Sequence, residues 1–245
     1  MSKNADIQIS AVLPCFEEAP NLARVLKDLE QALDSEIPAA WEIIIVASLA
    51  AGDGTPALAE RLAAEHSNCR VVLQSAHESG YGHAIGLGIE SARYPWLLLS
   101  DADGQFDHAE LGKLIIQTKQ ADLIAGYRSP RSDPWPRKLA GRLYSLVVSK
   151  LIGIPGVRDL DCAFKLVHID FIGVKPLECR TGVVNAEILM RAIALGARIV
   201  EVPVTHRPRL DGCTRFETKI GPIDHIPQPA EVVAILKDLA VLKEW

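Results

Sequence analysis

Residues along the first half of the chain fall into short, predominantly apolar runs separated by segments of helical spacing. Ile9 to Pro14, Trp41 to Val46, Arg70 to Leu73, Trp96 to Ser100 and Leu123 to Ala125 each have the length of a buried strand. Between the first two, Leu22, Val25, Leu26, Leu29 and Leu33 recur at three- and four-residue intervals, which predicts a helix over Pro20 to Leu33. Thr55, with Pro56 at the first helical position, opens a second helix that runs to about Glu65. Gly82 to Ala92 and Ala109 to Lys119 continue the alternation. Strands that are apolar throughout, alternating with helices, predict an α/β fold: a mostly parallel central sheet with helices on both faces. Ligands of such sheets bind beyond the carboxyl ends of the strands, and Asp101 follows the fourth strand directly.

The second half is less regular. A helix is expected over Pro136 to Ile152 and another over Asn185 to Leu195, which Gly196 can end. Strands are expected over Ala163 to Val167 and Arg198 to Val204. Pro222, Pro227 and Pro229 interrupt Gly221 to Gln228, and Glu231 to Lys243 reads as an amphipathic helix that packs on the core or on a second copy in a homodimer. This divides the chain into a main domain of residues 1–220 and an appendage of residues 221–245.

With 245 residues, 49% hydrophobic and 23% charged, the chain can bury a core without disulfides. A formal net charge of −5 argues against a nucleic-acid partner. Five cysteines without CxxC spacing argue against a disulfide framework or a zinc knuckle and for reduced thiols in the cytoplasm. Met1 to Ser10 lacks the apolar region of a signal peptide, and no run is long enough to span a bilayer. Membrane contact is therefore expected to be peripheral, at the inner face. The basic cluster Arg128, Arg131, Arg137, Lys138, Arg142 and Lys150 suits a lipid phosphate as well as it suits water.

Leu97-Leu98-Leu99-Ser100-Asp101-Ala102-Asp103-Gly104-Gln105 carries the clearest chemistry. A buried strand delivers two carboxylates, one residue apart, into a turn. Mg²⁺ or Mn²⁺ wants oxygen ligands, and Mg²⁺ takes one or two carboxylates together with substrate phosphates. The same two aspartates can also simply cap the turn that follows.

Several segments together resemble family 2 glycosyltransferases of GT-A fold, most of all the dolichyl- and polyprenyl-phosphate sugar transferases. Val12-Leu13-Pro14-Cys15-Phe16-Glu17-Glu18-Ala19-Pro20-Asn21-Leu22 is similar to the family's opening strand and turn. Gly80-Tyr81-Gly82-His83-Ala84, with Gly86-Leu87-Gly88, resembles its glycine-rich turn, and Asp101-Ala102-Asp103-Gly104-Gln105 its metal motif. Asp161-Cys162-Ala163-Phe164-Lys165-Leu166 and the stretch from Val202-Pro203-Val204 to Arg207–Arg215 complete the series, so the likeness covers Ile9 to Arg215.

That resemblance implies a metal-dependent, inverting transfer of a hexose from a nucleotide-diphosphate sugar to a polyprenyl-phosphate or similar acceptor. It makes Asp103 the foremost metal ligand, with Asp101 beside it and Gln105 adding an amide oxygen. Pro14, Glu17, Asp53 and Gly80 would line the nucleotide pocket. Arg209 and Arg215 would contact phosphates, and Arg128 the acceptor or donor phosphate. Asp161 and Glu187 are the candidate bases for a hydroxyl acceptor. One departure stands out. The family's "DDGSxDGT" segment reads Val46-Ala47-Ser48-Leu49-Ala50-Ala51-Gly52-Asp53-Gly54-Thr55, so Ser48 and Leu49 replace the leading aspartates that contact base and ribose. A lost charge-assisted hydrogen bond is worth about 1.5–3 kcal/mol. This keeps open a non-catalytic, regulatory protein with a degenerate donor site. A nucleotidyltransferase is disfavoured, because Pro14 to Glu18 is acidic where a basic phosphate loop belongs.

Overall fold

The computed structural model describes residues 7–37, 40–131, 141, 143, 145–150, 153, 157–173, 175–209, 217–220, 223–227 and 229–243. In chain order the elements are β1 (Gln8–Cys15), α1 (Ala19–Glu36), β2 (Ala40–Ser48), α2 (Thr55–Glu65), β3 (Cys69–Gln74), α3 (Tyr81–Glu90), β4 (Trp96–Leu99) and α4 (Leu111–Ile115). They continue with β5 (Leu123–Arg131), β6 (Lys165–His168), α5 (Val184–Ala194), β7 (Ile199–His206), β8 (Glu217–Ile220), β9 (Ile223–Pro227) and α6 (Pro229–Leu242).

Seven strands form one sheet in the order β3-β2-β1-β4-β6-β5-β7. Every neighbouring pair is parallel except those of β6, which runs antiparallel to β4 and β5. The carboxyl ends of six strands therefore share one edge with the amino end of β6. Alternation within each strand sends side chains to two cores. Ile9, Leu13, Ile43, Ile45 and Leu98 pack under α1, α2 and α4. Val12, Ile44, Val46, Leu97 and Leu99 pack under α3, α5 and α6. This is the α/β architecture the apolar runs predict.

Glycine spacing in α3 is a packing device. A methyl group at Gly88 would overlap the Val12 side chain, and one at Gly82 would overlap the Cys179 carbonyl. The helix thus lies directly on β1 and on the loop before α5. A Gly82→Ala substitution meets backbone that cannot step aside. It is expected to destabilise the protein by about 1–3 kcal/mol, which thermal denaturation will read as a lowered Tm.

Two local expectations change, and a third, the packing of the last helix on the core, is met. The Thr55 hydroxyl does not cap α2; it donates to Asp53 Oδ1 at 2.6 Å and accepts from the Glu18 amide at 3.0 Å, while Gly54 occupies the cap position without a side-chain bond. The proline-interrupted stretch near residue 221 carries the antiparallel pair β8–β9. α6 packs into the second core through Asp238 and Leu242, 6% and 2% exposed, and leaves Val232, Val233 and Leu236 at the surface. Of the helix expected over Pro136 to Ile152, residues 145–150 are helical, and most of the remainder falls outside the described residues. Among the described residues no helix is long and apolar enough to cross a membrane.

Candidate active site

β4 ends at Leu99, and the next residues turn across the ligand edge of the sheet. Gly104 takes φ of 73°, and a methyl group there would collide with the Arg24 guanidinium. Tyr81, at the start of α3, donates its hydroxyl hydrogen to Asp101 Oδ1 at 2.8 Å. Asp103 Oδ1 accepts from the Gln105 amide at 3.0 Å, the turn-capping bond, and Oδ2 accepts from Arg209 at 3.0 Å. Arg209 also pairs with Glu18 at 3.1 Å. Gln105 is tied to the end of β7: its side-chain nitrogen donates to the Arg207 carbonyl at 3.0 Å, and its own carbonyl accepts from the Arg207 amide at 2.7 Å. Both sides of the sheet edge thus hold one acidic turn.

The electrostatics follow from crowding. Burial, then the neighbouring Asp103, pushes the Asp101 carboxyl up to about 7, with Asp161 adding to the shift and Tyr81 and Arg128 opposing it. Burial also raises Glu18, against the pull of Arg209, and raises the Cys15 thiol behind them. A buried carboxyl raised by the carboxylate beside it is what a divalent cation relieves, and the oxygens of Asp101 and Asp103 suit Mg²⁺ or Mn²⁺. Among the described residues no three His, Cys, Asp or Glu side chains gather into a closed metal cage. A cation here would take its remaining ligands from phosphate oxygens and water. Asp101 and Asp103 fit that role; the Gln105 amide is already engaged through its nitrogen.

Beneath the turn, His108 is 3% exposed and lies 2.9 Å from the Ser100 hydroxyl. Burial holds its pKa down at about 4. The unfolded chain therefore takes up a proton near pH 6.5 that the folded protein refuses until about pH 4. The His108 contribution to stability is expected to fall by up to about 3 kcal/mol as pH drops through that window, while the raised Asp101 carboxyl contributes in the opposite direction. Urea denaturation of wild type and His108→Gln between pH 7 and pH 4 reads the His108 share as the difference between the two curves, which should shift in the variant's favour toward pH 4.

The other residues singled out from the sequence meet different fates. Asp161 is 44% exposed and lies 3.5 Å from Arg128 at the same edge. Arg128 is 7% exposed and grips Asp159 with two bonds of 2.7 Å, so it braces the rim and does not present itself to a ligand phosphate. Glu187 is a correction. It is fully buried, and its oxygens accept from the Glu178 and Cys179 amides and pair with Arg191 at 2.6 Å, which leaves no path to a reacting group. Asp53 is another. Oδ1 accepts from Thr55 and Oδ2 from the Ala19 amide at 3.0 Å, so it joins α2 to α1. Gly80 takes φ of 156° against the Arg180 carbonyl, a packing requirement. Pro14 is buried at the end of β1, and Glu17, exposed, adopts φ of 54° just beyond it. A left-handed non-glycine residue stores strain that clusters at functional sites. Ser48 is buried while Leu49 is 52% exposed, so the end of β2 offers an apolar side chain. Arg215 lies outside the described residues.

Sequence reasoning missed four members. Tyr81 was visible inside the glycine-rich segment and Glu18 beside Glu17, but neither contact is encoded by spacing. Lys165 is fully buried and bonds the Leu160 and Cys162 carbonyls and, at 3.0 Å, Asn185 Oδ1. Burial holds the Tyr81 hydroxyl well above its usual pKa, and neighbouring Asn185 opposes that shift. A chain of contacts thus runs from Lys165 through Asn185 and Tyr81 to Asp101.

A parallel sheet with one antiparallel strand inserted beside β4, and an aspartate pair where β4 ends, is the GT-A fold. The chain belongs to glycosyl transferase family 2, whose model matches residues 10–160. It is 30% identical over 210 residues to an uncharacterized glycosyltransferase of Mycobacterium tuberculosis, covering 83% of this chain and 87% of that one. To the undecaprenyl-phosphate 4-deoxy-4-formamido-L-arabinose transferase of Aeromonas hydrophila it is 27% identical over 215 residues, covering 87% of this chain and 64% of the relative. Glucosyl-3-phosphoglycerate synthase from M. tuberculosis, solved with Mn²⁺, UDP and phosphoglyceric acid, superposes with a TM-score of 0.61 at 17% identity, covering 83% of this chain and 72% of that one.

Proposed function

We propose that this glycosyltransferase moves a hexose from a nucleoside-diphosphate sugar to a phosphate-bearing acceptor of the polyprenyl-phosphate kind, with inversion and with a divalent cation at Asp101 and Asp103. The observation that carries this reading is the aspartate pair at the end of β4, held by Tyr81 on one side and Arg209 on the other. When bound, the cation neutralises charge developing on the diphosphate leaving group. Tyr81 fixes Asp101 through Oδ1 and leaves Oδ2 for that task. Arg209 stands 3.0 Å from Asp103 as an internal cation and is our candidate to share the charge of the donor phosphates. Asp161, open to solvent and 3.5 Å from Arg128, is our candidate base for a hydroxyl acceptor; a phosphate acceptor is already anionic and needs none. Direct displacement from the face opposite the diphosphate inverts the anomeric carbon. Exposed Leu143, Leu146 and Val147 support peripheral contact with the membrane that a prenyl chain requires.

Calorimetric titration with UDP, GDP, CDP and dTDP, each with and without Mn²⁺ or Mg²⁺, tests the donor half. Cation-dependent binding of one nucleotide is the expected result and names the base that Leu49 and Glu17 accept. Failure of all four would overturn the reading in favour of a degenerate donor site.

A further inference from the structure

Arg209 and Arg128, which flank the aspartate pair and Asp161, are spoken for. Arg209 is held by Glu18 and Asp103, and Arg128 by Asp159 and Asp161. Asp101, Asp103 and Asp161 make the rim acidic, so an incoming phosphate monoester meets repulsion unless an uncommitted cation admits it. Arg180 is such a cation. Its side chain is exposed and forms no hydrogen bond or ion pair among the described residues.

Its loop lies on the rim. The Arg180 carbonyl accepts from the Gly82 amide at 2.9 Å, next to Tyr81. Two residues on, a methyl at Gly182 would sit 3.3 Å from Asp161 Oδ1. The loop is also held with unusual firmness. Four consecutive amides point at two buried carboxylates: Glu178 and Cys179 donate to Glu187, and Arg180 and Thr181 donate to Asp238 at 2.9 and 2.8 Å. Buried carboxylates are costly unless hydrogen-bonded. What these two fix in place is the backbone of residues 178–181, which meets α3 at Gly82 and carries the exposed Arg180 beside the Asp161 rim. A preorganised backbone lowers the ordering cost of binding.

We propose that Arg180 binds the phosphate of the acceptor, on the opposite side of Tyr81 from the donor diphosphate. This rests on the phosphate-acceptor reading above. A guanidinium suits a monoester because it offers paired N–H donors to two oxygens.

Geranyl phosphate, a short water-miscible prenyl monophosphate, is the probe, with geraniol as its phosphate-free control. Calorimetric titration of the full chain should show geranyl phosphate binding weakened by about 10- to 100-fold in the Arg180→Ala variant. Arg180→Lys should recover part of the loss. Nucleotide affinity and Tm should not move, because the side chain is exposed and without a partner among the described residues. Unchanged geranyl phosphate binding in Arg180→Ala overturns the inference, as does a loss of nucleotide binding in its place, which would assign the residue to the donor. Wild-type protein that binds a nucleotide but no monoester also overturns it and leaves the donor reading standing. Arg180-dependent monoester binding without any nucleotide binding would uphold it while removing the donor half of the proposed function.

Discussion

The Asp103→Asn change is expected to lower kcat/KM by about 10³ while leaving the fold intact. The substitution keeps the side chain's shape, so Oδ1 can still accept from the Gln105 amide and hold the turn. What goes is the negative charge facing Arg209 and the proposed cation. A metal that neutralises a diphosphate leaving group supplies several kcal/mol of transition-state stabilisation. At 1.36 kcal/mol per decade, about 4 kcal/mol corresponds to three orders of magnitude. Arg209 keeps its partner Glu18 at 3.1 Å, so it is not cast loose in a buried site. Steady-state kinetics over a range of Mn²⁺ concentrations will check this, together with nucleotide titration of the same variant. Full cation-dependent turnover by Asp103→Asn would refute the assignment of the metal ligands.

The Glu187→Ala change should act on stability instead. Its carboxylate is fully buried, paired with a buried Arg191 at 2.6 Å and bonded to two loop amides. Removing one partner of a buried ion pair costs about 3–5 kcal/mol, because the other charge is left uncompensated. For a chain of this size that lowers Tm by roughly 10 °C. Turnover measured well below the transition should fall only modestly, through loosening of the loop that borders Tyr81. A base directly engaged in the reaction would behave oppositely, with a near-normal Tm and a loss of activity far larger than any shift in stability.

The sheet was legible because buried parallel strands leave uninterrupted apolar runs, and β1, β2 and β4 fall within a residue or two of those runs. The antiparallel sense of β6 was not, because the direction of a strand leaves no mark on its own four residues. The aspartate pair was legible for the same reason as the sheet: it follows directly on a strand. Its partners were not, since Tyr81 is 20 residues from Asp101 in sequence and Arg209 is 106 from Asp103. Glu187 and Asp53 show the converse error. Acidic residues near a motif look catalytic in one dimension, yet each can be consumed by backbone amides that only the fold brings to it. Asp238 gave no signal, because a buried carboxylate on an otherwise amphipathic helix looks like any polar-face residue.

That last residue also has a consequence for how the molecule is made. The Arg180 and Thr181 amides find their acceptor on a helix almost sixty residues further along the chain, at Asp238. Chains emerge from the ribosome amino end first. The sheet, the aspartate pair and Tyr81 can all assemble while α6 is still unmade, but the rim loop beside them stays unlatched. A nascent chain stalled before Asp238 would hold a formed aspartate turn beside a loop whose Arg180 and Thr181 amides lack their acceptor. Synthesis through Asp238, and not only correct folding of the sheet, is thus what latches that loop.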